Sequence, residues 1–143
     1  MADLTRFLKA QEYDYNRALQ EIRSGRKRSH WMWYIFPQIQ GLGFSSTAQY
    51  YAIRDLNEAK EYLSHPVLGG RLKEISTALL ELEGLSASEI FGYPDDLKLR
   101  SSMTLFRLAA LNCDIFEQVL EKYYDGKPDE RTVSIVRGEP ENL

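Results

Sequence analysis

The sequence predicts an all-α protein, a single multihelical globular domain spanning residues 1–143. Three observations carry that expectation. Apolar residues recur at helical spacing through most of the chain, alternation at period two is nearly absent, and capping, proline and glycine signals fall between successive apolar stripes. Leu4, Phe7 and Leu8 open the first helix, and Tyr15, Leu19 and Ile22 continue its stripe to Gly25, which suits the position just past a helix end. The 31–46 segment resists assignment: Phe36-Pro37 imposes an extended or turn conformation, and Gly41 and Gly43 read as a loop. Asp55 is placed to cap a helix through Leu56, Ala59, Tyr62 and Leu63. Pro66 suits the first turn of the next helix, whose Leu68, Leu72, Ile75, Leu79 and Leu82 follow one stripe, with Gly84 closing it.

Ser86-Ala-Ser-Glu89 then has the form of a capping box for a short helix. Pro94-Asp95-Asp96 starts another, with acids at its positive end, running through Leu97, Met103, Leu105, Phe106 and Leu108. Ile115, Phe116, Val119, Leu120 and Tyr123 mark a further helix ended by Asp125-Gly126. Asp129 can cap a last segment, although Thr132–Val136 also has strand propensity.

Composition narrows the function classes. At 143 residues and 43% hydrophobic, the chain can bury a core of its own. A net charge of −3 argues against a dedicated non-specific nucleic-acid binder, whose affinity comes from neutralising phosphates. The single Cys113 excludes an internal disulfide and a cysteine-based zinc site, and it reads as a buried structural thiol in a helical pattern. No apolar stretch approaches the ~20 residues of a membrane span and no signal-peptide core is present, so a cytoplasmic protein is expected.

Chemistry concentrates in one run, Arg26 to Ser46. It holds three cations, His30, Trp31, Trp33, three further aromatics, Gln38, Gln40 and a Gly-x-Gly turn. Buried, such a run leaves an indole, an imidazole and two carboxamides in need of partners, each unmade bond costing about 1–3 kcal/mol. Two readings stand: the wall of a ligand pocket, or an aromatic core segment behind a solvated basic turn. As a pocket wall it suits a nucleobase with a phosphate, because aromatic faces stack the ring and cations hold the anion. Ser45 and Ser46 can donate to phosphate or ribose, and Gln49 with Tyr50 extends a polar-aromatic strip, unless Ser45 simply caps an ordinary amphipathic helix. In the helix after Pro94, Lys98, Ser101 and Ser102 share roughly one face and can hold a phosphate, or the small residues there allow close helix packing. Tyr124 to Thr132 reads first as a helix-terminating turn followed by the Asp129 cap, with a catalytic role as the lesser alternative. His30 and His65 stand alone, without zinc-binding spacing, and neither a phosphate-binding Gly motif nor a nucleophile elbow occurs.

Three long motifs resemble a bacterial and fungal domain-of-unknown-function family, some of whose members carry a calpastatin-like label. They are Gly25 to Gly43, with its GRKRSHWMWYIFPQ core, Tyr62 to Gly69 followed by Arg71-Leu72, and Phe91-Gly92 with Pro94 to Phe106. This resemblance covers nearly the whole chain and implies a mostly helical fold without an assigned activity. A weaker one, in Ser46-x-x-Gln49-Tyr-Tyr51, Glu58-Ala59-Lys60 and His65-Pro66 with Leu68-Gly69, is to the NADAR (YbiA-like) superfamily. That resemblance implies N-glycosidic cleavage of nucleotide-derived or ADP-ribose-like substrates. Its pattern places Glu where this chain has Gln49, and Gln can neither activate water nor stabilise an oxocarbenium-like centre as a carboxylate does.

Two functions are therefore expected in competition. In the first, a small hydrolase stacks its nucleotide-like substrate on Trp31, Trp33 or Tyr34 and holds phosphate with Arg28 and Lys98. His30 relays a proton, Glu58 or Asp96 supplies the carboxylate, and neither metal nor cofactor is needed. In the second, a non-catalytic module uses the same surface to recognise a nucleotide, a nucleic acid or a protein. No membrane partner is expected, and the oligomeric state stays open.

Overall fold

The computed structural model describes residues 3–138, so the expected 1–143 span runs beyond the described residues at both ends. Among them lie nine helices: α1 (Thr5–Arg23), α2 (Met32–Ile35), α3 (Ser46–Tyr51), α4 (Leu56–Ser64), α5 (Leu68–Glu81), α6 (Ala87–Phe91), α7 (Asp95–Ala109), α8 (Ile115–Tyr124) and α9 (Glu130–Arg137). The all-α expectation holds: the β-type pairing among the described residues is one isolated parallel bridge, Ile39 to Ile53. No described helix is long and apolar enough to cross a membrane.

Local chemistry starts and stops these helices. Ser45, Asp55 and Asp129 each accept a hydrogen bond from a backbone N–H in the first turn of α3, α4 and α9, and Ser86 with Glu89 forms the complete capping box of α6. Asp125, in the left-handed region at φ 55°, ends α8 as the Asp-Gly pair implied. The N-terminus of α5 is covered differently: the Nδ1 atom of His65 accepts from Val67 and Leu68 N–H at 3.1 and 3.2 Å.

Packing is organised around α7, which contacts α4, α6, α8 and α9, while α5 lies against α1, α4 and α8. A chain of rings links the layers. Phe7 meets Tyr62 edge-on at 5.2 Å, Tyr62 meets Phe106 at 5.3 Å, and Phe106 meets Phe116 at 5.9 Å. Gln11 is buried within α1 and donates to the Tyr34 carbonyl and the Tyr62 hydroxyl, which satisfies its amide in the core. Gly69 is required by the crossing of α4 and α5, since a Cβ there would stand 2.0 Å from the Leu63 carbonyl oxygen.

Thr132–Val136, left open between a capped segment and a strand, is helical, because the Asp129 cap and the packing of α9 on α7 outweigh β-branched propensity. Three local expectations are corrected. Helix α5 begins at Leu68, leaving Pro66 in the preceding turn. That helix ends at Glu81, so Leu82 is already extended and Gly84 lies beyond the end. Cys113 sits half-buried in the α7–α8 connection, because α7 stops at Ala109.

Candidate functional site

Glu21, at the end of α1, organises the basic-aromatic run. Its carboxylate accepts from the Arg28 and Ser29 N–H groups at 2.7 and 2.9 Å, the Ser29 hydroxyl at 2.6 Å and the Trp31 indole at 3.0 Å. Burial pushes its pKa up, but these bonds, led by Ser29, outweigh that and hold it down at about 2. Trp31 is thereby fixed in the core at 0% exposure. Tyr34 is buried too, its hydroxyl donating to Asp14. Lys27 turns inward to pair with Asp95 at 2.9 Å, whereas Arg28 and His30 remain on the surface.

Trp33 alone of these three aromatics reaches a cleft of ≈ 450 Å³. Helix α2 supplies Trp33, and the loop after it supplies Gln38, Leu42 and Phe44. From α3 come its cap Ser45 and Ala48, and from α7 come Leu97, Lys98 and Ser101. Asp129 and Arg131, where α9 begins, complete the lining. A narrower recess of ≈ 30 Å³ adjoins it, sharing Trp33, Gln38 and Lys98 and reaching Gln49 and Tyr51.

Hydrogen bonds set the shape. Gln40 N–H donates to the Ile53 carbonyl and Ile53 N–H to the Gln38 carbonyl, both at 2.8 Å, which pins the loop to the α3–α4 junction. Gln49 Nε2 donates to the Phe44 carbonyl at 3.0 Å, and Phe44 stands 76% exposed at the rim. Gly43 packs so closely on α3 that a Cβ there would lie 2.7 Å from that of Ala48. Arg131 donates to the Gly41 carbonyl at 3.2 Å, tying α9 to the same loop.

At the centre, Lys98 Nζ lies 5.1 Å from the centroid of the Trp33 ring and 3.4 Å from Asp95 Oδ1. The Gln38 amide donates to the Lys98 carbonyl at 3.4 Å. The Lys98–Asp95 pair is partly exposed, of the kind worth about 0–1 kcal/mol, so an entering anion can replace it. At the start of α9, Asp129 Oδ2 accepts from Thr132 Oγ1 at 2.5 Å and Thr132 N–H at 3.2 Å, and Ser101 Oγ lies 3.0 Å from it and 3.2 Å from the Leu97 carbonyl. The cleft thus joins an aromatic face, a cation, a carboxamide, hydroxyls and an oriented carboxylate.

Of the residues singled out in the sequence, Trp33, Gln38, Ser45, Lys98 and Ser101 meet in the cleft, and Gln49 lines the recess. The remainder lie elsewhere. Glu58 is a buried clamp, pairing with Arg6 at 2.8 Å and Arg54 at 3.0 Å; burial raises its pKa, but those arginines outweigh it and hold the carboxyl below its usual value. Asp96 lies in the first turn of α7, where its carboxylate accepts from the Ser88 hydroxyl and the Leu97 N–H. Tyr50 projects beside Arg6 and Arg54, Ser46 is exposed in the first turn of α3, and Ser102 is buried with its hydroxyl unpartnered. His30, Glu58 and Asp96, expected to share acid–base work, are not brought together around the cleft.

The sequence does not single out Leu42, Phe44 or Leu97, and its 124–132 segment, which holds Asp129 and Arg131, reads first as a turn and cap and only second as a catalytic site. A partial signal was present: Ser101 and Thr104 are polar residues inside a strongly helical stretch. A separate concavity of ≈ 540 Å³ beside Cys113 has two lysines, Lys60 and Lys73, but no aromatic wall. Among the described residues, no three His, Cys, Asp or Glu side chains cluster in a way that could hold a metal ion.

This is an all-helical protein with a mixed aromatic and polar cleft built around its central helix. It belongs to the DUF1810 family, described as proteins of unknown function, whose model matches residues 1–136. It is also similar to a solved structure, the conserved hypothetical protein Rv1873 from Mycobacterium tuberculosis. The two chains are 50% identical with a TM-score of 0.93, over 94% of this chain and 96% of that one. Comparison with curated proteins yields no match.

Proposed function

We propose that the cleft binds a small ligand combining a planar ring with an anionic group, a nucleotide or an ADP-ribose-type compound. The observation that carries this reading is Lys98 held 5.1 Å over the Trp33 ring at the edge of a ≈ 450 Å³ cleft. That volume falls in the range of small-molecule sites. Trp33 and the exposed Phe44 offer faces for a base, and Lys98 offers the charge for a phosphate. Gln38 and Ser45 add hydrogen-bonding groups that set orientation. The weaker NADAR resemblance, carried in part by Gln49 and Tyr51 at the recess, supports the same ligand class.

Catalysis is the second reading, favoured by one observation, a carboxylate lining the cleft at Asp129. An acid there could activate water for N-glycosidic cleavage, the role for which Gln49 is unsuited. Binding stands first because His30, Glu58 and Asp96 lie outside the cleft.

A thermal-shift screen against nucleotides, ADP-ribose, NAD and ribose phosphates, each hit then incubated and weighed by mass spectrometry, tests both. A stabilising ligand recovered intact supports binding, and one cleaved at its glycosidic bond supports the hydrolase. No shift with any of them contradicts the nucleotide reading.

A further inference from the structure

We infer that Asp129 is the carboxylate by which the cleft recognises the ring hydroxyls of a ribosyl group, so that its ligand is a ribose-containing phosphate. This rests on the proposed ligand-binding role of the cleft and adds a residue and a substrate feature to it.

The hold on Asp129 exceeds what capping requires. An N-cap needs one bond from the first helical turn, and Asn or Ser serves there about as well as Asp. Here the Thr132 hydroxyl and N–H both donate to Oδ2, and the Ser101 hydroxyl lies 3.0 Å from the same oxygen, its one proton shared between it and the Leu97 carbonyl at 3.2 Å. The backbone is held as well, its N–H donating at 2.9 Å to Thr104 Oγ1, which in turn donates to the Arg100 carbonyl at 2.8 Å. Thr104 and Thr132 are 0% exposed and Ser101 is 9% exposed, so helix α7 and helix α9 fix the residue from both sides. Oδ1 receives no hydrogen bond among the described residues and keeps its acceptor capacity. A carboxylate with one oxygen anchored and the other uncommitted, on rigid elements, is prepared to receive hydroxyl donors.

Charge narrows the ligand further. The cleft sets the Asp129 carboxylate beside two cations, Lys98 and Arg131, so it suits a ligand that joins an anion to hydrogen-bond donors. It favours a molecule that carries hydroxyl donors a short distance from its anion. Ribosyl phosphates have that arrangement, and in dinucleotide-binding folds a carboxylate accepts from the ribose 2′-hydroxyl. Free bases carry N–H donors but neither ring hydroxyls nor an anion, and a 2-deoxyribosyl phosphate lacks one hydroxyl.

The test compares the wild-type protein with Asp129→Asn, which keeps the cap, by calorimetric titration. Ribose 5-phosphate is set against 2-deoxyribose 5-phosphate, and AMP against its 2′-deoxy counterpart. The wild type is expected to prefer the ribosyl member of a pair by about tenfold or more, the factor set by one hydrogen bond to a charged acceptor. Asp129→Asn is expected to lose that preference while keeping its melting temperature, and Asp129→Ser, a second cap-compatible change, serves if Asn disturbs folding. Lys98→Ala should weaken both members of a pair alike. Equal affinity within each pair, discrimination that survives in the Asp129 variants, or no binding of either ribosyl compound would overturn the inference. If ADP-ribose and NAD bind while these results hold, the cleft reading survives without it; if they also fail, that reading falls as well.

Discussion

Glu21 shows how one side chain decides the fate of a whole motif. The run from Arg26 to Ser46 carries enough polar groups to read as a pocket wall, yet Glu21 satisfies four of its donors from the preceding helix. Trp31 is then free to enter the core, where residue spacing alone left the choice open. Truncation by Glu21→Ala strands those donors at about 1–3 kcal/mol for each that water cannot reach. We expect a loss of at least about 2 kcal/mol in urea unfolding, with a shift in the emission of buried Trp31. Acid acts on the same contact. The folded-state pKa of Glu21 lies at about 2, below its ordinary 4.5, so its contribution is full above the ordinary value and is lost as pH falls toward the folded one. Glu21→Gln should flatten the stability profile in that window, and an unchanged acid profile would show that the bonds do not form in solution.

Elements were far easier to read than contacts. Caps at Ser45, Asp55, Ser86 and Asp129 mark helix starts through bonds spanning three residues, which are visible in a one-dimensional string. The exceptions, at Pro66, Leu82 and Cys113, lie at helix boundaries, where tertiary packing decides the last turn. Two adjacent glycines of α5 separate local from tertiary demands. At Gly70 an added Cβ meets nothing within 4 Å, so Gly70→Ala should stabilise the protein by about 0.5–1 kcal/mol through helix propensity. At Gly69 the same methyl strikes the Leu63 carbonyl, and Gly69→Ala should cost about 1–3 kcal/mol or more. Thermal unfolding of the two variants should move in opposite directions; a shift in the same direction would contradict the close crossing of α4 and α5.

The cleft belongs to the molecule as a whole, and that is why sequence reading found it only in part. Gln38 meets the Lys98 carbonyl across 60 positions, and Arg131 meets Gly41 across 90. Residue chemistry nominated Trp33, Gln38, Ser45, Lys98 and Ser101, but nothing in their spacing could exclude Trp31, Tyr34 or Glu58, whose places depend on Glu21, Asp14, Arg6 and Arg54. The most direct test of the cleft as a ligand site uses its own fluorophore. Trp31 is fully buried and Trp33 lines the cleft, so titration with ADP-ribose should change the emission of the wild-type protein. The same titration should leave Trp33→Phe optically silent while calorimetry still records binding. No change in the wild type, or an equal change in both proteins, would contradict the assignment of the cleft.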